Sequence, residues 1–180
     1  MKILCIEDDF ETAKLIAEEL TEQGFDVIIA HDGHEGLIAI LKGIPDLVLC
    51  DIGLPRISGF DVLSRLKALA PQMKCVPFIF LTALTDRDNK RRAMSLGADH
   101  YVTKPINFEI LGTIVKSRLA ETESNQLLWK RIMLNDEEAE ALTWVACGKT
   151  TDEIASLLGL TEQVIDTRLD NAWTKINATA

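Results

Sequence analysis

The sequence lacks any apolar run long enough to cross a membrane, which takes about 18 consecutive apolar residues. It also lacks the apolar core of a signal peptide, because the first apolar run ends at Ile6 and acidic residues follow it directly. These absences argue against the membrane and secreted classes. We therefore expect a cytoplasmic protein with no membrane partner.

Cysteine pairing and excess positive charge are also missing. The four cysteines form no CxxC pair, and none lies at metal-ligand spacing from a histidine, which predicts free thiols in a reducing compartment. The net charge of −9 excludes a protein whose whole surface binds a polyanion. Hydrophobic residues nevertheless make up 47% of the 180 residues, which is enough for a folded core.

Residues 1–120 alternate between short apolar runs and longer amphipathic segments. The runs are too short for helices and rich in Ile, Val, Leu and Phe, as expected of strands buried on both faces. They lie at residues 2–6, 25–29, 46–50, 76–81 and 100–102. Segments 11–23 and 59–70 carry apolar residues on one helical face. This alternation predicts an α/β fold, a (βα)5 doubly wound parallel sheet with helices on both faces.

Residues 134–180 contain no strand-like run and predict a small all-α domain. Its helical stretches, at about 136–147, 151–158 and 162–176, are separated by Gly148 and Gly159. The turn at Gly159 joins two short helices, as in a helix-turn-helix. Residues 121–133 form the predicted linker, and their pattern allows either a continuous helix or a break.

Acidic residues and a lysine follow the predicted strands, at the end where ligands bind in such sheets. Glu7, Asp8 and Asp9 follow strand 1, Asp51 ends strand 3, Thr82 ends strand 4 and Lys104 follows strand 5. Carboxylates in one crevice repel each other unless a cation neutralises them, and an all-oxygen site suits Mg²⁺. A lysine and a threonine at the rim suit phosphoryl oxygens, and a carboxylate can attack phosphorus. Taken singly, the aspartates could cap a helix or solvate a turn, and the lysine could be an ordinary loop residue.

The joint pattern resembles the receiver domain of two-component response regulators over residues 1–120. The matching motifs are Asp8-Asp9, Asp51 with Leu54-Pro55 and Gly59, Thr82-Ala83 and Lys104-Pro105. The resemblance implies that Asp51 is the phosphoacceptor and that Thr82 and Lys104 bind the phosphoryl oxygens. It also implies a histidine kinase or a phosphotransfer protein as donor, a homodimer on phosphorylation, and no enzymatic activity on a separate substrate.

The same resemblance implies a metal site and a switch residue. Mg²⁺ would be held by Asp8, Asp9, Asp51 and the backbone carbonyl of Gly53. Tyr101 matches the aromatic position that turns inward when the threonine moves. The peptide bond that precedes the proline of Lys104-Pro105 is expected to be cis.

Residues 134–176 resemble the LuxR-type (GerE-like) helix-turn-helix output domain, and GKTTDEIASLLGL is the most specific segment. This resemblance implies regulation of transcription through promoter DNA, with the helix at 162–176 as the recognition helix. The candidate DNA contacts are Thr161, Gln163, Thr167, Arg168, Asn171 and Lys175.

The charge of this segment leaves a second output open. Residues 134–180 hold three cations against nine acids, whereas DNA phosphates need cations or backbone amides. The same fold, reused as a protein-binding module, would present an acidic surface to a basic partner protein. A third hypothesis, a phosphatase of the aspartyl-phosphate type, is disfavoured because Ile52 and Gly53 follow Asp51, with no second acid two residues on.

Overall fold

A computed structural model describes residues 1–43, 45–69, 76–83, 87–122 and 134–178. Within these ranges the strands are β1 (Lys2–Ile6), β2 (Asp26–Ala30), β3 (Leu47–Asp51), β4 (Phe78–Thr82) and β5 (His100–Thr103). The helices are α1 (Phe10–Glu22), α2 (Gly33–Gly43), α3 (Gly59–Leu69), α4 (Arg87–Ser95), α5 (Phe108–Thr122), α6 (Asp136–Ala146), α7 (Thr151–Leu158) and α8 (Glu162–Asn177). Each of these helices is too short or too polar to span a membrane.

The strands form one parallel sheet in the order β2-β1-β3-β4-β5. Its centre is apolar on both faces because β3 and β4 are buried along their whole length. One buried cluster joins the sheet to α1 and α5 through Ile16, Leu20 and Leu111. The other lies on the side of α2 and α3. The predicted α/β doubly wound fold is confirmed, and each strand lies within two residues of its expected bounds.

Local signals fix the three C-terminal helices. Asn135 and Glu138 form a capping box at the start of α6, in which each side chain accepts a hydrogen bond from the other's backbone N–H. Gly159 ends α7 in the left-handed conformation, with φ of 66°. The helices therefore begin and end within one residue of their predicted bounds. The predicted linker lies outside the described residues from 123 onward.

Helix α6 packs against α2 of the sheet domain. Buried side chains of both helices, including Leu37 and Leu142, belong to one hydrophobic cluster. Lys42 Nζ lies 2.7 Å from Asp136 Oδ1 at one end of the contact. Apolar burial of this kind is worth roughly 25 cal/mol per Å², so the cluster, rather than the exposed ion pair, dominates the contact.

A prediction arises at Gly59, where α3 begins directly behind the end of β3. A Cβ at this position would collide with the backbone carbonyl oxygen of Asp51 and lie 3.1 Å from Cys50 Sγ. We expect Gly59→Ala to lower the free energy of unfolding by about 3 kcal/mol, because backbone must move to relieve the collision. Urea denaturation followed by circular dichroism measures this loss.

Gly43, at the end of α2, supplies the matched control. A Cβ there meets no atom within 4 Å. We expect Gly43→Ala to raise the free energy of unfolding by about 0.5–1 kcal/mol, because alanine favours the helix and restricts the unfolded chain. Equal effects of the two substitutions would contradict the close approach at Gly59.

Candidate functional site

The carboxyl ends of neighbouring strands bring the candidate residues to one edge of the sheet. In the strand register, Ile6 of β1 pairs with Cys50 of β3, and Thr82 of β4 pairs with Thr103 of β5. Asp51, Thr82 and Lys104 therefore end or directly follow adjacent strands. This is the edge at which open α/β sheets bind ligands.

Three carboxylates converge at this edge: those of Glu7, Asp8 and Asp51. One oxygen from each lies within 4.8 Å of the others. Glu7 is 1% exposed and Asp51 is 9% exposed, whereas Asp8 faces solvent. The oxygen-only donors and the one open side match the preference of Mg²⁺ for a few carboxylates and several retained waters. The chemistry of the cluster therefore fits a magnesium ion.

Asp9 has a different position from the one that the sequence pattern predicted. It is the N-cap of α1, and its Oδ1 accepts a hydrogen bond of 2.8 Å from the backbone N–H of Thr12. Hydrogen bonding to Thr12, by its side chain first and its backbone N–H second, lowers the pKa of the Asp9 carboxyl. In the described cluster, the place predicted for Asp9 is taken by Glu7, the first residue after β1.

Lys104 links two of the clustered carboxylates. Its Nζ lies 2.7 Å from Glu7 Oε2 and donates a hydrogen bond of 3.1 Å to Asp51 Oδ2. Burial lowers the pKa of Lys104, but the hydrogen bond to Glu7 and the charge of Asp51 outweigh it and leave the pKa raised. The lysine is therefore a cation held against Asp51. The peptide bond between Lys104 and Pro105 is cis, as predicted.

The two carboxylate oxygens of Asp51 have different surroundings. Its Oδ1 accepts a hydrogen bond of 2.7 Å from the backbone N–H of Ile52. A Cβ placed on the exposed Gly53 would lie 3.8 Å from Oδ2, so no side chain of that residue covers this oxygen. Oδ2 is also the oxygen that Lys104 contacts.

Thr82 and Tyr101 lie on adjacent strands of the same half of the sheet. Thr82 is 1% exposed at the end of β4, and its carbonyl oxygen accepts a hydrogen bond of 2.8 Å from the backbone N–H of Lys104. Tyr101 is half-buried on β5, pairs with Phe80, and lines a cavity of about 220 Å³. Residues 84–86, which connect β4 to α4, lie outside the described residues.

The predicted DNA-contacting residues lie on or next to α8. Thr161 is its N-cap, and Lys175 lies near its end. Four others line an open groove of about 370 Å³ between α6 and α8, namely Gln163, Thr167, Arg168 and Asn171. Glu137 and Glu138 of α6 line the same groove, so acidic side chains border the candidate contacts.

Each of the three cations within residues 134–178 is paired with an acid of the same segment. Arg168, whose side chain is 16% exposed, lies 3.1 Å from Glu137. Lys175 Nζ donates hydrogen bonds of 2.8 and 2.6 Å to the two carboxylate oxygens of Glu138. Lys149 lies 3.2 Å from Glu153. A phosphate would have to compete with these carboxylates.

The chain is similar to known proteins over the residues that form the parallel sheet and its helices. Residues 3–116 match the family described as Response regulator receiver domain. The Transcriptional regulatory protein DltR of Streptococcus agalactiae serotype III (strain NEM316) is 38% identical over 143 residues, which cover 78% of this chain and 62% of DltR. The chain thus spans less than two thirds of the length of that relative.

Two further comparisons cover different shares of the chain. The Probable transcriptional regulator ycf29 of Pyropia yezoensis is 29% identical over 187 residues, covering 98% of this chain and 84% of that protein. The solved structure of the Francisella response regulator 1452 receiver domain matches with a TM-score of 0.64 and 30% identity, over 68% of this chain and 98% of that one. Because the family match, residues 3–116, covers more than half of the chain and nearly the whole five-stranded sheet, the chain belongs to the response regulator receiver domain family.

Proposed function

We propose that this chain is a two-component response regulator that accepts a phosphoryl group on Asp51 from a histidine kinase or a phosphotransfer protein. The observation that carries the proposal is the contact of 3.1 Å between Lys104 Nζ and Asp51 Oδ2 beside two further carboxylates. A half-buried lysine placed on one oxygen of a strand-end aspartate is suited to bind a phosphoryl oxygen once that aspartate is phosphorylated.

Glu7, Asp8 and Asp51 would hold a Mg²⁺ ion, with the backbone carbonyl of Gly53 as a fourth protein ligand. Bound Mg²⁺ would supply positive charge that offsets the repulsion between the carboxylates and the incoming phosphoryl oxygens. The predicted ligand Asp9 is replaced by Glu7 in this proposal, because Asp9 caps α1.

Three residues of the chain have separate roles in the phosphoryl transfer. A carboxylate oxygen of Asp51 attacks the phosphorus of the donor's phosphohistidine and forms a P–O bond, while the P–N bond breaks and its electron pair stays on the imidazole. Lys104 exchanges its contact with Asp51 for a phosphoryl oxygen, and the Thr82 hydroxyl donates to another. The product carries about −1.5 to −2 charges on its phosphoryl group, by analogy with other phosphoresidues.

This added charge would change the face formed by α4, β5 and α5. Thr82 is drawn toward the phosphoryl group, and Tyr101 turns inward on the neighbouring strand. The new arrangement biases an equilibrium between two conformations of the domain, and it favours a homodimer. Light scattering with and without beryllofluoride and Mg²⁺ measures the change in oligomeric state.

The phosphoacceptor proposal is tested by incubating the full chain with Mg²⁺ and a small-molecule phosphodonor, followed by intact-mass measurement and peptide mapping. One phosphoryl group on Asp51, released by alkali as an acyl phosphate, is the expected result. Absence of modification, or modification at a different residue, would refute the proposal.

For the output, we propose a LuxR-type helix-turn-helix formed by residues 134–180, which regulates transcription by binding promoter DNA. The names of the relatives DltR and ycf29 support this candidate. The pairing of Arg168 and Lys175 with acids supports a second candidate, in which this segment binds a basic protein partner.

The salt dependence of DNA binding distinguishes the two candidates. Arg168 and Lys175 are the cations among the predicted contacts, so a DNA complex that uses both would show a slope of log K against log salt of about −1.8. We expect Glu137→Gln to strengthen such binding, because it frees Arg168 from its ion pair. Fluorescence anisotropy with genomic DNA fragments, with and without beryllofluoride and Mg²⁺, measures both quantities.

A matched substitution controls for a change in net charge alone. Glu18→Gln, on α1, removes the same charge from the receiver domain and also breaks an exposed ion pair, the one with Lys14. If neither variant nor the wild-type protein binds DNA at low salt in either state, the protein-binding candidate replaces the DNA-binding one.

A further inference from the structure

A cavity of about 460 Å³ lies where α6 meets the receiver domain. Its lining residues come from α2, from the connection between β3 and α3, from α3, and from α6 and its C-terminal end. They are His34, Arg56, Ile57, Arg65, Trp144 and Cys147. Its size falls within the range of about 300–1,000 Å³ that is typical of small-molecule sites.

The polar groups of this lining are mainly hydrogen-bond donors. Arg56 and Arg65 contribute two cations, Trp144 contributes an indole N–H, and none of the lining residues is acidic. Burial lowers the pKa of His34, so its imidazole is neutral near pH 7 and the positive charge comes from the arginines. A group that satisfies this lining must accept several hydrogen bonds and carry negative charge.

Two buried nitrogen atoms at the cavity have no hydrogen-bond partner among the described residues. They are Nε2 of His34 and Nε1 of Trp144, and the two rings lie 4.4 Å apart. Buried polar atoms are rarely left unpaired, so an acceptor that either ring could reach by a small rotation toward the cavity would satisfy an atom that now lacks a partner. The indole nitrogen can only donate, so its partner must be an acceptor.

Arg65 also lacks a strong acceptor within the described part of the chain. Its NH1 donates to Cys147 Sγ at 2.8 Å, and the ion pairs of the described residues do not include it. A thiol sulfur accepts hydrogen bonds weakly compared with a carboxylate. Arg56 differs, because it pairs with Asp32 and its side chain is 72% exposed. Arg65 is therefore the cation with unused bonding capacity.

We propose that this cavity binds a small organic carboxylate. Its carboxylate would contact the Arg65 guanidinium and, after a small rotation of the ring, the Trp144 indole N–H, while its apolar part would pack against Ile57 and the Trp144 ring. Apolar walls with a few convergent donors select such a molecule over an inorganic anion, which has no apolar surface to bury. Since the walls come from both the receiver domain and α6, the ligand binds only when the two are in contact, and it stabilises that contact.

The test follows the three indole N–H signals of the full-length, ¹⁵N-labelled protein by NMR during titration with benzoate. Trp144→Phe identifies the signal of Trp144. The proposal expects a saturable shift of that signal with benzoate and no comparable shift with benzamide, a neutral molecule of the same shape. Both ligands are compared on the wild-type protein, and Trp144→Phe serves only to assign the signal.

Substitutions then locate the anion. Arg65→Gln should weaken benzoate binding by about tenfold or more, because it removes a charged hydrogen bond. Arg91→Gln, at an exposed site on α4, should leave binding unchanged. Lys104→Gln should also retain the Trp144 shift, since Lys104 belongs to the phosphoacceptor edge.

Several results would overturn the proposal. They are the absence of a saturable Trp144 shift, an equal shift with benzamide, and unchanged binding in Arg65→Gln. Loss of the shift in Lys104→Gln would place the anion at the phosphoacceptor site instead. None of these outcomes depends on phosphorylation, so they are independent of the function proposed for Asp51.

Discussion

Asp51→Asn is expected to abolish phosphoryl transfer to this chain while the receiver domain remains folded. An amide oxygen lacks the charge and nucleophilicity of a carboxylate oxygen, so no acyl phosphate forms. The fold should persist because the amide oxygen of the new side chain can accept the hydrogen bond that Asp51 Oδ1 now accepts from the backbone N–H of Ile52, 2.7 Å in length. The substitution also removes one of three mutually repelling carboxylates, which offsets the loss of the ion pair with Lys104.

The matched control for this substitution is Asp46→Asn, placed just before the opposite end of β3. Asp46 is also buried and accepts a hydrogen bond of 2.7 Å from the backbone N–H of Lys2. It should retain labelling, since it lies at the edge of the sheet away from Lys104. Phosphoryl incorporation from a small-molecule donor with Mg²⁺, measured beside the thermal unfolding of each variant, gives both quantities. Labelling of Asp51→Asn at the wild-type stoichiometry would rule out Asp51 as the phosphoacceptor.

The strands and the C-terminal helices could be predicted because their signals are local. Short apolar runs predict that each strand exists. The predicted and observed strand ends differ by one or two residues, because a buried strand is apolar throughout and no residue type marks where it stops. Caps such as Asn135 and Gly159 mark the ends of the C-terminal helices more sharply. The fold class followed from the alternation of these elements.

The composition of the acidic cluster depended on where one strand stops. Three consecutive acids, residues 7–9, follow β1, and the resemblance to receiver domains implied that the second and third hold the metal. The strand ends at Ile6, which places Glu7 and Asp8 at the sheet edge and leaves Asp9 to cap a helix that begins at Phe10. An N-cap aspartate directly before a helical pattern was the available signal.

Contacts between distant segments could not be predicted from one sequence. The pairing of Lys175 with Glu138 joins α8 to α6, and the tilted ring contact of His34 with Trp144 joins α2 to α6. Neither pair has a periodic or spacing signature, because each depends on how helices pack in three dimensions. The net charge of residues 134–180 already indicated that this segment has few cations. The structure adds that each of these cations forms an ion pair with a glutamate of the same segment.

Glu7→Gln is expected to weaken Mg²⁺ binding by on the order of tenfold or more, as loss of a ligand or its supporting group does at other metal sites. The substitution removes a negative charge from the cluster and leaves Lys104 without its closest partner, at 2.7 Å. Both changes make the site less attractive to a cation. Asp8→Asn should act in the same direction, because its carboxylate belongs to the same cluster. Calorimetric titration with Mg²⁺ measures the dissociation constants.

Substitutions of Asp9 distinguish a metal site that contains Glu7 from one that contains Asp9. Asp9→Asn should leave the dissociation constant for Mg²⁺ unchanged, and it should leave stability unchanged because asparagine caps helices as well as aspartate does. Asp9→Ala should again leave Mg²⁺ binding unchanged but lower the free energy of unfolding by about 1 kcal/mol, since the hydrogen bond to the Thr12 N–H is lost. A large loss of Mg²⁺ affinity in Asp9→Asn, with little change in Glu7→Gln, would restore Asp9 to the metal site and remove Glu7 from it.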